Sequence, residues 1–300
     1  MDRIDTMRIF IRVADSKSFS KTANELALPR TTVSLAVQQL EARLGLRLLS
    51  RTTRSVNLTS DGEALLARMR DVLNEFEMIE NSHRGSQELS GTVRMDVPSR
   101  FARLVVVPQL ADFLTMHPAV HIELRSSDRV VNLIEEGVDC AIRVGDLSDS
   151  SLIASPLGEL SMVNCASPDY LRRMGTPPNN DALMSHEVVQ FASPTTGKVT
   201  PWLHQQQGEV SSIMPPARVT VNNAETYVAS ALAGLGLVQV PMYDVMDDLK
   251  AGRLIEVLPD DRAPSMPVHA VYPHRRHLSP RLEAVLRWMK VLIEQLPARA

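Results

Sequence analysis

Cysteine is nearly missing from this 300-residue chain: only Cys140 and Cys165 occur, each inside an apolar, strand-like run (VDCAIRV and SMVNCAS). That excludes a disulfide-stapled scaffold and reads as two buried structural thiols, a redox pair being the other reading. Long apolar stretches are missing too. The longest, from Tyr227 to Val240, is interrupted by Ser230 and Gln239 and is too short to span a bilayer. The N-terminus, MDRIDTMRIF, carries acidic residues and no apolar core, so no secretory signal is expected and the chain reads as cytoplasmic, with no membrane partner. Catalytic signatures are equally scarce. Gly234-Leu235-Gly236 is followed by Gln239 where a dinucleotide fingerprint needs its third glycine, and there is no Walker A sequence or nucleophile elbow. His117 and His121 are four apart, but Pro118 between them breaks the helix that would align them on a metal. Neither an enzyme nor a metal or cofactor is expected.

Positive charge is also in deficit, the net being −3, until the chain is divided. Residues 1–60 hold ten Lys/Arg against five Asp/Glu, so the first fifth of the chain carries +5 and the remainder −8. Length and ordinary composition, 44% hydrophobic and 22% charged, suggest about two domains.

What is present begins at Ser18. Ser18 or Ser20 can cap a short helix whose Phe19, Ala23 and Leu26 share a face. Pro29 ends that helix and suits the first turn of the next, which shows Val33, Val37, Leu40 and Leu44 on one side and is terminated by Gly45. Arg30, Thr31, Thr32, Ser34, Leu35 and Gln38 are left for the other side, most of them able to hydrogen-bond base edges or phosphates. A solvated face of a plain helical hairpin would look the same. The following ribbon, Arg51-Thr52-Thr53-Arg54 with Val56-Asn57-Leu58-Thr59, favours DNA, because a small wing with two arginines suits phosphates. The candidate DNA contacts are therefore Ser20, Arg30, Thr31, Thr32, Ser34, Gln38, Arg51, Thr53 and Arg54.

A helix from Asp61 to about Ser86 carries Leu65, Met69, Val72, Phe76 and Ile79 at heptad spacing, suited either to its own domain or to a second copy. His83 to Gly91 reads as a hinge. Beyond it, strands at Val93–Val97, His121–Leu124 and Val138–Val144 alternate with helices at Val107–Met116 and Val130–Glu136, which predicts a parallel α/β sheet. Ligands of such sheets sit beyond the carboxyl ends of the strands. Ser99 and Arg100 follow the first strand, Ser126, Ser127 and Asp128 the second, and Arg143 closes the third. A second lobe holds a strand at 161–167, a helix from Pro168, an unordered stretch at 176–216, a strand at 219–221, a helix at 224–233 and a strand at 237–240. Asn223 and Trp202 are its candidates for the cleft, a plain helix cap and a core aromatic being the readings the residues favour, and a return strand at 266–272 and a helix at 279–296 close the chain. Arg100 and Arg143, if they point inward, would favour an anionic effector such as a carboxylate, a surface ion pair being the other reading of either.

Phe10, Val13, Ser18-Phe19-Ser20, Ala23, Leu26, Val33-Ser34, Val37, Leu40-Glu41, Leu44-Gly45, Leu48, Arg51, Arg54, Leu58-Thr59 and Gly62 together resemble the LysR-type transcriptional regulators. The second half resembles the same family through Gly91–Val97, Val138–Gly145, Ala166–Leu171 and Ala233–Leu237. Thr22, Pro29 and Leu35 depart from the pattern, where the family often has alanine, a capping Ser or Thr, and arginine. The resemblance implies a winged helix-turn-helix over residues 1–60, a linker and dimerisation helix over 61–88, and a two-lobed, periplasmic-binding-protein-like (type II) effector domain over 89–300. Its first lobe would span 92–160 and 267–300, its second 161–266. It also implies double-stranded promoter DNA as partner, a homo-oligomer built as a dimer of dimers, and a small-molecule effector. A regulator answering chiefly to redox state or a protein partner is the alternative.

Overall fold

The computed structural model describes residues 1–51, 56–82, 89–147, 152–206, 208–273 and 278–297. They form two compact units, Met1–Glu88 with Ile134–Gly137, and Leu89–Leu133 with Val138–Ala300.

The first unit contains helices α1 (Arg3–Ser16), α2 (Phe19–Glu25) and α3 (Arg30–Leu44), strands β1 (Leu49–Arg51) and β2 (Val56–Leu58), and helix α4 (Ser60–Ser82). Ser18 caps α2, its hydroxyl oxygen accepting the Lys21 N–H at 3.2 Å. Thr22, buried against α1, meets the Ser16 hydroxyl at 2.7 Å, so a polar residue in an alanine position has a partner. Pro29 precedes α3 without a side-chain cap, and Gly45 ends it in the left-handed region at φ 68°. Phe10, Val13, Val33, Val37, Leu40 and Leu48 form the core, each contributing about 2 kcal/mol through burial. The inward face of α3 is Val33, Ala36, Val37 and Leu40; Leu44, expected there, is 40% exposed because the last turn runs past the core. Glu41 Oε1 accepts the Leu48 and Leu49 N–H groups at 2.8 and 3.0 Å, tying α3 to the start of the hairpin β1–β2.

The α4 stripe divides. Leu66, Met69 and Leu73 enter the core of their own unit, while Val72 is 46% exposed. Arg70 pairs with Asp15 of α1. The Ile79 side chain and the expected hinge residues 83–88 lie outside the described parts of the chain.

The second unit opens with β3 (Gly91–Val97) and a helix, α5, spanning 99–116: one α-helical turn at Ser99–Phe101, a π-helical stretch at Ala102–Val106 and an α-helix at Val107–Met116. The helix therefore starts eight residues earlier than expected, with Pro98 at its N-cap. Then come β4 (Val120–Ser126), β5 (Cys140–Val144), β6 (Ile153–Leu160), β7 (Met162–Ala166), α6 (Pro168–Met174), a 3₁₀ turn at Asp181–Ser185, β8 (Val188–Phe191), β9 (Trp202–Gln206), β10 (Glu209–Ile213) and β11 (Ala217–Val221). The rest is α7 (Ala224–Leu232), β12 (Val238–Pro241), α8 (Met242–Lys250), β13 (Ile255–Glu256), β14 (Met266–Tyr272) and α9 (Pro280–Glu294). No helix forms at 130–136, only a turn at 133–137, and Val130 and Ile134 of the presumed apolar face are exposed.

The first lobe is a five-stranded sheet in the order β4-β3-β5-β14-β6. It is mixed rather than parallel: β3 runs parallel to β4 and β5, whereas β14 is antiparallel to β5 and β6. Helices α5 and α9 cover one face through Phe101, Val106, Val285 and Met289. The second lobe centres on β12-β7-β13 and the parallel pair β11-β8, with α7 and α8 supplying Val228, Met242 and Val245 to its core. Two chain segments join the lobes, at Ser161 after β6 and between β13 and β14.

Candidate nucleic-acid interface and effector cleft

Because Pro29 starts α3 abruptly and Val33, Ala36, Val37 and Leu40 turn inward, its first turns offer their other side to solvent. Arg30, Thr31 and Gln38 are exposed on that side, Thr32 and Ser34 half-buried, and Ser20 is exposed on α2. Leu35, 54% exposed, puts an apolar side chain on the same surface. Arg51 ends β1, its side chain outside the described parts, as are Thr53 and Arg54 entirely.

In the second unit the structure brings Ser99 and Asn223 to one acid. Asp128, in the loop after β4, accepts at Oδ1 the Ser99 N–H (2.9 Å) and hydroxyl (2.6 Å). Its Oδ2 accepts the Asn223 Nδ2–H (2.8 Å) and the Ala224 N–H (3.0 Å). Ser99 opens α5 in the first lobe, and Asn223 caps α7 in the second, its own Oδ1 accepting from Glu225 and Thr226. A single carboxylate thus receives four donors from two helix starts, the environment that favours an anion.

Beside this junction lies a charge network. Arg100, buried, donates through Nε to Asp244 Oδ1 at 3.0 Å, through Nη1 to Glu225 Oε2 at 2.6 Å, and through Nη2 to the Asp244 carbonyl. Arg103 adds a two-pronged contact to Glu225 at 2.8 and 3.1 Å. The Arg103 hydrogen bond, helped by Arg100, holds Glu225 below the usual carboxylate range. Burial pushes Asp244 up to about 6, Arg100 offsetting only part of that desolvation. Phe101 and Tyr243 make an edge-to-face contact at 5.5 Å across the same boundary.

Several expected cleft residues stand elsewhere. Arg100 is not a vacant anion receptor, since the protein's own carboxylates engage it. Arg143 donates through Nη1 to the buried Asp96 at 2.9 Å and serves as a sheet ion pair. Trp202 is buried among Tyr170, Leu183, Val188 and Leu237 in the second lobe's core, away from Ser99 and Asn223. Ser127 shapes a turn, its N–H donating to the Val97 carbonyl at 3.1 Å and its hydroxyl accepting from Arg129, and Ser126 is exposed at the end of β4. Sequence reasoning passed over Arg103, Glu225 and Asp244. The acids at the first turns of α7 and α8 were a visible signal, but their partners lie more than 100 residues away. Two cavities, of about 170 Å³ beside Leu160 and Ile293 and about 580 Å³ beside Met162 and Arg262, lie apart from the expected cleft residues.

Both thiols are fully buried in different cores, Cys140 in the first lobe and Cys165 in the second. Burial pushes Cys165 up to about 12 and Cys140 far above the ordinary thiol range, which suppresses the reactive thiolate.

The family model for bacterial regulatory helix-turn-helix proteins of the lysR family matches residues 4–63, and the model for the LysR substrate binding domain matches 86–292. The chain belongs to the LysR family of transcriptional regulators. It is a DNA-binding regulator with an N-terminal helix-turn-helix and a C-terminal substrate-binding effector domain. Among LysR relatives, the uncharacterized HTH-type regulator YhjC of Escherichia coli (strain K12) is 41% identical over 302 residues, covering 98% of this chain and 99% of its own. An HTH-type transcriptional repressor of Pseudomonas aeruginosa (strain UCBPP-PA14) is 34% identical over 298 residues, covering 99% and 94%. The solved structure of CrgA, a LysR-type regulator from Neisseria meningitidis, is 31% identical, covers 97% of this chain and 98% of its own, and superposes with a TM-score of 0.58. Among the described residues, no helix is long and apolar enough to cross a membrane.

Proposed function

We propose that this regulator reads promoter DNA by placing α3 in the major groove, with Arg30, Thr31, Thr32, Ser34 and Gln38 at bases or adjacent phosphates and Ser20 on the backbone. The observation that carries this is the exposed polar surface at the start of α3, set by Pro29 and by the inward turn of Val33, Val37 and Leu40. Leu35 suits a thymine methyl where a basic side chain would suit phosphate or guanine. Arg51, Thr53 and Arg54 hold the flanking backbone. One head reads only a few base pairs, so the chain acts as a homodimer through α4, the exposed Val72 lying on the pairing side, and assembles further as a dimer of dimers in the cytoplasm.

The effector is a small carboxylate bound between the lobes. The donors of Ser99, Asn223 and Ala224 support that class because they already converge on a carboxylate, that of Asp128, whereas Arg100 and Arg143 are held in ion pairs with Asp244, Glu225 and Asp96. Such a ligand shifts the spacing of the DNA heads only by its differential affinity for two lobe arrangements.

A salt titration of operator binding tests the DNA surface. Arg30→Ala and Arg51→Ala should each flatten the log–log slope by roughly 0.9, one phosphate's worth. Slopes equal to wild type in both variants overturn the contact assignment.

A further inference from the structure

We propose that Asp128 is a built-in ligand of the interlobe site, holding the lobes together in the absence of effector, and that an effector carboxylate acts by exchanging with it. This rests on the reading of the cleft as the effector site. The geometry is that of a bound carboxylate: both oxygens are used, each takes two donors, and the four distances run from 2.6 to 3.0 Å. The donors come from both sides, two from Ser99 in the first lobe and two from Asn223 and Ala224 in the second. A free carboxylate finds the same four donors only when Asp128 leaves them.

The local backbone permits that departure. Asp128 lies two residues beyond the end of β4 at Ser126, and residues 127–132 belong to no helix or strand, so its withdrawal breaks no ladder. Arg100, Asp244, Glu225 and Arg103 form a separate clasp across the same boundary, so losing the Asp128 contacts does not release the lobes completely. Asp128 therefore sets specificity. With its side chain in place, a ligand must compete against an intramolecular carboxylate, which excludes weak monocarboxylates and admits those that bring further contacts.

The test uses the full-length protein as wild type, Asp128→Ala and Asp128→Asn, titrated with sodium formate and sodium acetate against sodium chloride at matched ionic strength. Thermal unfolding and operator binding are read in parallel. Both variants should melt below wild type, and Asp128→Ala should regain a few degrees in the carboxylate salts alone, by linkage of binding to folding. Wild type should show no carboxylate-specific shift. Asp128→Asn retains bulk but presents an amide to the Asn223 and Ala224 donors, so a lowered melting point there separates loss of the charge from loss of volume. Melting of both variants at the wild-type temperature, or absence of a carboxylate-specific shift in Asp128→Ala, overturns the proposal. A carboxylate-specific shift with unchanged operator affinity supports the exchange at Asp128 and instead refutes the coupling of this cleft to the DNA heads.

Discussion

Replacing Arg100 by alanine should destabilise the effector domain by about 3–5 kcal/mol at pH 8, because it strands Asp244 as a buried carboxylate without its cation. The Asp244 side chain is only 5% exposed, and Arg100 reaches both its Oδ1 and its carbonyl. For a domain of this size that penalty lowers the melting temperature by roughly 10 °C. Its pH dependence has a definite sign. Asp244 is raised from 3.8 to about 6 by burial, so the folded chain holds that proton more tightly than the unfolded one. The group's contribution is most favourable below about pH 4 and declines as pH climbs through about 6, where the carboxylate must ionise in place. Without Arg100 the attraction that restrains this rise is gone, and the deficit should be smaller at pH 5 than at pH 8. Urea unfolding of wild type, Arg100→Ala and Arg100→Met at both values measures it, the methionine variant filling the volume without the charge. A penalty under about 1 kcal/mol at pH 8, or one equal at the two pH values, refutes the account of a buried, partly compensated pair.

Two further outcomes are expected. Gly62→Ala should weaken the N-terminal unit by about 1–3 kcal/mol and impair operator binding, since a Cβ there would lie 2.1 Å from the Leu48 carbonyl oxygen, a backbone atom that cannot yield cheaply. Denaturation followed separately for the two units checks it. Native protein should leave Cys140 and Cys165 unmodified by a thiol reagent until it unfolds, and the double serine variant should keep its oxidant response, if any, unchanged; thiol labelling of the folded chain would revive the redox reading.

The DNA head was legible because its signals are local. Ser18, Pro29 and Gly45 mark helix ends within a few residues of the apolar positions they delimit, and only Leu44 deceived, by lying one turn past the core. In the effector domain β3 and β4 showed as alternating apolar positions, and β5 and β14 as strand-like stretches. Strand β6 did not, because Ser155, Pro156 and Gly158 interrupt its propensity and it pairs with β14 through an irregularity between Val268 and His269. The sequence Val130–Glu136 carries a helical period but buries too little of it, only Leu133 being fully inside, to hold a helix. The cleft was half legible. Strand ends and a helix cap pointed to Ser99 and Asn223, but nothing local reveals that Asp128 meets a residue 95 positions on, or Arg100 one 144 positions on. Pairing at that range is a property of topology, and the two arginines taken for effector receptors already had partners.

Whether α3 reads base sequence as part of a two-fold assembly is decided by selecting binding sites from random duplex DNA with wild type and with Gln38→Ala. The wild type should select two inverted half-sites separated by about one helical turn or a multiple of it. Gln38→Ala should relax preference at the same base position in each half, by about 1–3 kcal/mol of discrimination, while the other positions persist. Selection of a site without two-fold symmetry, or of the same site with undiminished preference at every position, would contradict that reading.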